Sequence, residues 1–368
     1  MCLRKCLPQC LFKLLSHTTN MTTPHLQAAK QLVWQFLQAL PANGASSDTV
    51  TSAAPALSQY LTADCDIEVF HPINRCVNPS DFNAKFWQPL LAAMPNLERR
   101  TDLFFAGDFD GRFCGGAGTW VTAHGYLCGT MVNDWLGIPA TGDTVYVRMG
   151  EFYRVENNKI THARILLDLV DVMRQAGYAV LPKSNGVDLL VPGPQTNDGL
   201  LHAPQLASES QASMDSFDRM AGGLASFNKD DKTDLKRMGM HAHWHKDMMW
   251  YGPCGIGTSR QVEGFQKHHQ KPFLHAFPDR KGGNHIARIA EGHYIGSTGW
   301  PSVHATHTGD YLGAAAINAP IHMRVADWWR RENDTLRENW VMIDLPDLLL
   351  QMGVDVFARL REQVKAKP

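Results

Sequence analysis

Apolar and polar residues along the chain follow two periods, and the periods come in the same order twice. "HLQAAKQLVWQFLQAL" and "SDFNAKFWQPLLAAM" repeat their apolar positions every three to four residues, as amphipathic helices do. "GTWVTAHGYL", "TVYVRMGEFYRV" and "KITHARILL" then alternate or run β-rich, as strands do. Further along, "ESQASMDSFDRMAGGL" and "SRQVEGFQKHHQKPFLHAF" predict another helical stretch, again followed by strands. Helices that precede a meander of strands predict an α+β fold, with the sheet curving around the helices.

The second round is a copy of the first. The stretch starting "WLGIPATGDTVYVRMGEFYRV" at Trp135 aligns without a gap to the stretch starting "YLGAAAINAPIHMRVADWWRR" at Tyr311, 176 positions on. Gly137 matches Gly313, Arg148 matches Arg324, Asp168 matches Asp344 and Gly177 matches Gly353. With small gaps the match extends upstream, pairing Trp120 and His124 with Trp300 and His304, and "AAMPN" with "HAFPD". Two tandem domains are therefore expected, 24–181 and 206–368. The Pro-, Gly- and Asn-rich stretch 182–205 reads as a linker. The opening stretch makes a poor signal peptide, because Lys13 interrupts its apolar run and no small-residue cleavage site follows, and Met21 begins a more ordinary start; residues 1–23 read as a disordered extension, a targeting remnant or an overcalled start.

Composition narrows the function classes. The chain has 368 residues, 44% hydrophobic and 19% charged, enough for two apolar cores. A formal net charge of -1 gives no excess to attract nucleic acid or an anionic membrane, so neither is expected as a partner. The eight cysteines form no CxxC pair, which predicts free thiols and a cytoplasmic location.

"LGIPATGDTVYVRMGEFYRVENNKIT" in the first copy, and "WYGPCGIGTSRQVEGFQKHH", "HTGDYLG" and "RVADWWR" in the second, resemble the SnoaL-like polyketide cyclases of the NTF2-like superfamily. The resemblance implies two tandem cone-shaped α+β barrels, each a curved antiparallel sheet with N-terminal helices around a pocket. It also implies metal-independent acid/base chemistry of the aldol type on a small or medium carbonyl compound, no cofactor, and an intramolecular pseudo-dimer. The same superfamily hosts inert binding domains, so a non-catalytic small-molecule binder is the alternative.

Candidate site residues follow from strand alternation. Met323, Val325, Asp327 and Trp329 share one face, as do Val147, Met149, Glu151 and Tyr153 in the first copy. A carboxylate among apolar neighbours has its pKa raised by desolvation, towards values useful for proton transfer. The resemblance gives Asp327 the acid/base role, with Glu151 its counterpart, and adds a histidine. His304 and His307 are candidates, and His322 is a weaker one because odd spacing puts it on the other face. Trp244, Trp250, Tyr251, Trp329, Trp340 and His124 are candidate substrate contacts. The second copy is expected to carry any catalysis.

His241, His243 and His245 raise a metal alternative. On a strand the three rings would share a face and could hold zinc for metal-assisted hydrolysis. The resemblance instead puts this segment at a helix-to-strand junction. "KHHQ" at 267–270 reads as an exposed or rim pair, Asp168 and Asp344 as helix N-caps, and "GPCGIGT" as a turn.

Overall fold

Among the described residues, thirteen strands form two sheets. The computed structural model describes residues 21, 23–41, 52–113, 116–227, 230 and 235–367. Most of the N-terminal extension lies outside the described residues, as do Cys2, Cys6, Cys10 and Cys114. The first sheet contains β1 (Leu61–Val69), β2 (Arg75–Cys76), β3 (Glu98–Phe109), β4 (Gly118–Thr130), β5 (Thr144–Glu156) and β6 (Lys159–Leu167), in the order β2-β1-β6-β5-β4-β3. The second contains β7 (Trp244–Tyr251), β8 (Thr258–Arg260), β9 (Lys281–Gly282), β10 (His285–Glu291), β11 (Tyr294–His307), β12 (Ala319–Glu332) and β13 (Thr335–Ile343). Its order is β10-β11-β12-β13-β7-β8, with β9 on β11. The architecture is two tandem α+β units.

The sheets are not wholly antiparallel, because β1 runs parallel to β6 and β7 parallel to β13. Parallel neighbours need a long crossover, and here the intervening helices and the three-strand meander supply it. The helix Pro24–Ala39 begins with proline, suited to a first helical turn, and buries Leu26, Ala29, Val33 and Phe36 at helical spacing. Phe36 meets Tyr153 edge-on at 5.5 Å, so this helix covers the concave face of the first sheet. In each unit the second helical stretch has a π-helical turn in its middle, Asn83–Trp87 and Gln266–Gln270.

Strand register corrects part of the repeat alignment. β11 carries extra residues between Gly299 and Val303 that β4 lacks, so upstream positions shift by two. His124 pairs with Gly150 and corresponds to Thr298, which pairs with Ala326; His304 corresponds instead to Cys128. Trp120 likewise corresponds to Tyr294 rather than to Trp300.

The convex faces of the two sheets pack on each other. Trp328 is fully buried, stacks on Phe152 at 5.4 Å and donates from Nε1 to Thr122 Oγ1 at 2.8 Å. Gly150 makes this approach possible, since a Cβ there would lie 2.3 Å from a Trp328 ring carbon. Lys30 and Glu291 form a buried ion pair at 2.6 Å; Lys30 also donates to Leu201 O, and Glu291 accepts from Ala106 N. One residue of each sign, held by further hydrogen bonds, is the arrangement in which buried charge is tolerated.

Asp168 and Asp344 cap their own helices, accepting from Asp171 N and Asp347 N. Each also reaches across. Asp168 Oδ2 accepts from Cys254 N at 2.8 Å, and Asp344 Oδ2 from His71 N at 2.9 Å. The two bonds are reciprocal, as in an interface with two-fold symmetry. Burial pushes the Asp344 carboxyl up to about 7, and burial with Asp171 close by raises that of Asp168. "GPCGIGT" is a turn, with Gly255 and Gly257 at positive φ.

Candidate functional site

β12 presents Met323, Val325, Asp327 and Trp329 to one side, and all four line a cavity of about 170 Å³ in the second unit. The opposite wall comes from helices, through Met220 and Leu224 on one and Phe265, His269 and Phe273 on another. Trp244 and Trp250, from β7, complete the aromatic surround. Among the described residues Asp327 has no hydrogen-bond or ion-pair partner. Burial pushes its carboxyl up to about 8, with Arg288 pulling the other way. Arg288, Ser297 and Asp327 lie in one cross-strand row, so small Ser297 separates the two charges. Such a carboxyl can take up or release a proton near neutral pH.

On the corresponding face of the first unit the carboxylate is paired. Glu151 is buried, its Oε2 2.5 Å from Arg99 Nη1, and its Oε1 accepts from Tyr153 Oη at 2.6 Å. Both acceptor oxygens are therefore committed within the protein. Arg99 pairs in register with Leu127 of β4; the corresponding position in the second unit, opposite Val303, is Gly282. Where the first unit sends a guanidinium inwards, the second has no side chain.

Several expected contacts lie elsewhere. His304 is exposed and pairs with His322 across β11 and β12. Since neighbouring Val303 and Met323 face the cavity, both histidines point away from it. His307 is buried against Phe277 at 5.5 Å, burial lowers its pKa, and it is not part of the cavity lining. Trp340 pairs with Trp328, donates to Pro192 O at 2.8 Å and stacks on Tyr251, so Trp340 and Tyr251 belong to the convex side. His124 also lies on the convex face of its sheet, 4.9 Å from Trp328, and accepts from Arg148 Nε. Burial, then Arg148, holds its pKa well below the ordinary value. Of the residues expected to touch substrate, Trp244, Trp250 and Trp329 line the cavity.

The histidine triplet does not converge. The short helix Met240–His243 ends where β7 begins, so His241 and His243 precede the strand and His245 is on it. His241 is exposed near Glu263, His243 lies against Gly223 and Gly239, and His245 is 3.8 Å from Glu332. Among the described residues no three or more His, Cys, Asp or Glu side chains are grouped to hold a metal ion.

Sequence reasoning missed His269. It belongs to "KHHQ", expected at an exposed or rim position, yet it lines the cavity with its ring stacked on Trp250 at 4.3 Å. A signal was available, since the offset linking "AAMPN" to "HAFPD" sets His269 over Phe86, an apolar residue fully buried in its own unit. Asn339, also unanticipated, lines the cavity and donates to Trp328 O at 2.9 Å.

Residues 51–176 match the model of the SnoaL-like polyketide cyclase family. Among curated proteins none matches. A candidate SnoaL-like polyketide cyclase from Jannaschia sp. CCS1 is similar at 16% identity and TM-score 0.32, covering 42% of this chain and 94% of that one. AclR, a candidate hydroxylase from Streptomyces galilaeus, is similar at 21% identity and TM-score 0.31, covering 38% and 97%. IdmH, a candidate polyketide cyclase from Streptomyces antibioticus, is similar at 21% identity and TM-score 0.31, covering 38% and 99%.

Proposed function

With SnoaL-like polyketide cyclase character in its first unit as the premise, we propose that this chain is a cyclase-type enzyme whose chemistry takes place in the second unit. Asp327 transfers a proton to or from the carbon beside a carbonyl group of a small or medium compound, and aldol-type ring closure follows without a metal or cofactor. One observation carries the reading: a carboxyl on the wall of an aromatic cavity, without a hydrogen-bond or ion-pair partner among the described residues, where burial raises its pKa. A protein that only stored an apolar ligand would gain nothing from burying such a group at a cost to stability.

The units 24–181 and 206–368 act as an intramolecular pseudo-dimer, and the packed convex faces and reciprocal aspartate bonds support this. A cytoplasmic setting is supported by the four described cysteines, Cys65, Cys76, Cys128 and Cys254, all free and buried. Among the described residues no helix is long and apolar enough to cross a membrane.

The test is a pair of variants assayed for exchange of α-hydrogens of simple ketones in D2O. Asp327→Asn is expected to lower the rate by about 100-fold or more, within the usual range for a lost acid/base group. Glu151→Gln, assayed on the folded fraction, is expected to keep most of it. The reverse pattern would sink the assignment to the second unit. An Asp327 carboxyl that titrates in the ordinary range would favour a non-catalytic binding protein.

A further inference from the structure

We propose that the second-unit cavity selects small uncharged aryl or cyclic carbonyl compounds, with His269 donating a hydrogen bond to the carbonyl oxygen while Asp327 faces the adjacent carbon. This rests on the proton-transfer reading above and adds to it a substrate class and a second contact.

The cavity is too apolar for a charged ligand. Among the described residues no lysine or arginine lines it, so a carboxylate or phosphate would meet no counter-charge from them and would face Asp327. Trp250, Trp329, Phe265 and Phe273 offer flat surfaces suited to a ring. A volume of about 170 Å³ limits the ligand to a small one.

His269 stands on the helical wall, across the cavity from the sheet that carries Asp327. Its ring is clamped by Trp250 at 4.3 Å and 18°, with Phe265 and Phe273 tilted against it at 5.4 and 5.3 Å. Packing of this kind fixes the direction of the ring nitrogens before a ligand arrives. Nδ1 is buried without a hydrogen-bond partner, and among the described residues neither nitrogen is bonded to protein. Burial, reinforced by Arg280, lowers its pKa to about 3, so the imidazole is neutral and offers one N–H. A neutral donor suits a carbonyl oxygen and the enolate oxygen formed from it, whereas a carboxylate would be better served by a cation. The first unit has Phe86 at this position and offers no donor there.

The step balances. The Asp327 carboxylate takes the α-hydrogen as a proton, the C–H electron pair becomes the enolate double bond, and the carbonyl π pair moves to the oxygen held by His269. After the carboxyl proton exchanges with D2O, return of a deuteron to carbon restores the ketone with one hydrogen replaced.

The experiment uses the full chain with three probes of similar size: acetophenone, cumene and benzoate. Binding is followed by tryptophan fluorescence, and exchange of the acetophenone methyl hydrogens by proton NMR in D2O. Acetophenone is expected to bind about tenfold more tightly than cumene, the worth of one good hydrogen bond, and benzoate not to saturate. His269→Phe should bring acetophenone to the level of cumene while cumene binding persists, showing that the cavity is intact. His269→Gln should restore part of the preference. Failure of acetophenone to bind, saturable benzoate binding, or a carbonyl preference that survives His269→Phe would each overturn the proposal. Exchange that needs Asp327 but is unchanged by His269→Phe would overturn it and leave the proton-transfer reading standing. A carbonyl preference that depends on His269 without any exchange would support the binding proposal and overturn that reading.

Discussion

The two units place a carboxylate at the same point of the same strand and surround it with opposite consequences. Glu151 in the first is satisfied by Arg99 and Tyr153; Asp327 in the second faces a cavity without a partner among the described residues. Three positions account for most of the contrast: Arg99 against Gly282, Phe86 against His269, and Tyr153 against Trp329. A curved sheet under helices is compatible with a solid core or with a cavity. Which one results depends on whether a neighbouring strand supplies a side chain that neutralises the carboxylate.

The most severe way to break this comparison is to convert one unit into the other. Gly282→Arg should send a guanidinium towards Asp327, pull its carboxyl back towards the ordinary range and lower ketone exchange by about 100-fold. NMR titration and the exchange assay read both effects, and unchanged activity would show that Gly282 does not keep the cavity open. Next in size is the reverse loss. Arg99→Ala strands Glu151 in the core and should cost about 3–5 kcal/mol of unfolding free energy in urea. Replacing both Arg99 and Glu151 by leucine should recover most of this, so additive costs would contradict the pairing.

The smallest effect concerns pH. Asp327 and Asp344 have folded pKa values raised by burial, to about 8 and about 7, so the folded chain holds protons that the unfolded chain has released. Their stabilising contribution is complete below about pH 4 and is lost as pH rises through 7 and 8. Asp327→Asn should therefore be more stable than the parent by on the order of 1–3 kcal/mol at pH 8, with the gain shrinking towards pH 4. Thermal melts across that range check it, and a gain independent of pH would remove the buried charge as the cause.

Much of this was legible in the residues. The repeat gave two units, and strand alternation put Met323, Val325, Asp327 and Trp329 on one face, where the cavity is. Alternation also contained the answer for Trp340, which pairs with Trp328 rather than with the inward Trp329, but reading it needs the register between strands. Register was hidden by the extra residues between Gly299 and Val303, which slide β11 by two positions and separate His124 from His304. His269 escaped because adjacent histidines on a helix diverge, and the offset that sets His269 over apolar Phe86 has to be carried back through the helix to show which of the two turns inwards. The N-caps at Asp168 and Asp344 were readable from local spacing, whereas their bonds to Cys254 and His71 join residues 86 and 273 positions apart.

Those paired aspartate bonds have a genetic consequence. In an assembly of two identical chains, any substitution is made on both sides at once, so a change that plugs one cavity plugs both. Joining the two halves by a short tether keeps each at high local concentration for the other, and it lets a change be made once. Arg99 can neutralise the carboxylate of one half while Gly282 leaves that of the other unpaired, and the symmetric bonds that hold the halves together are left as they were.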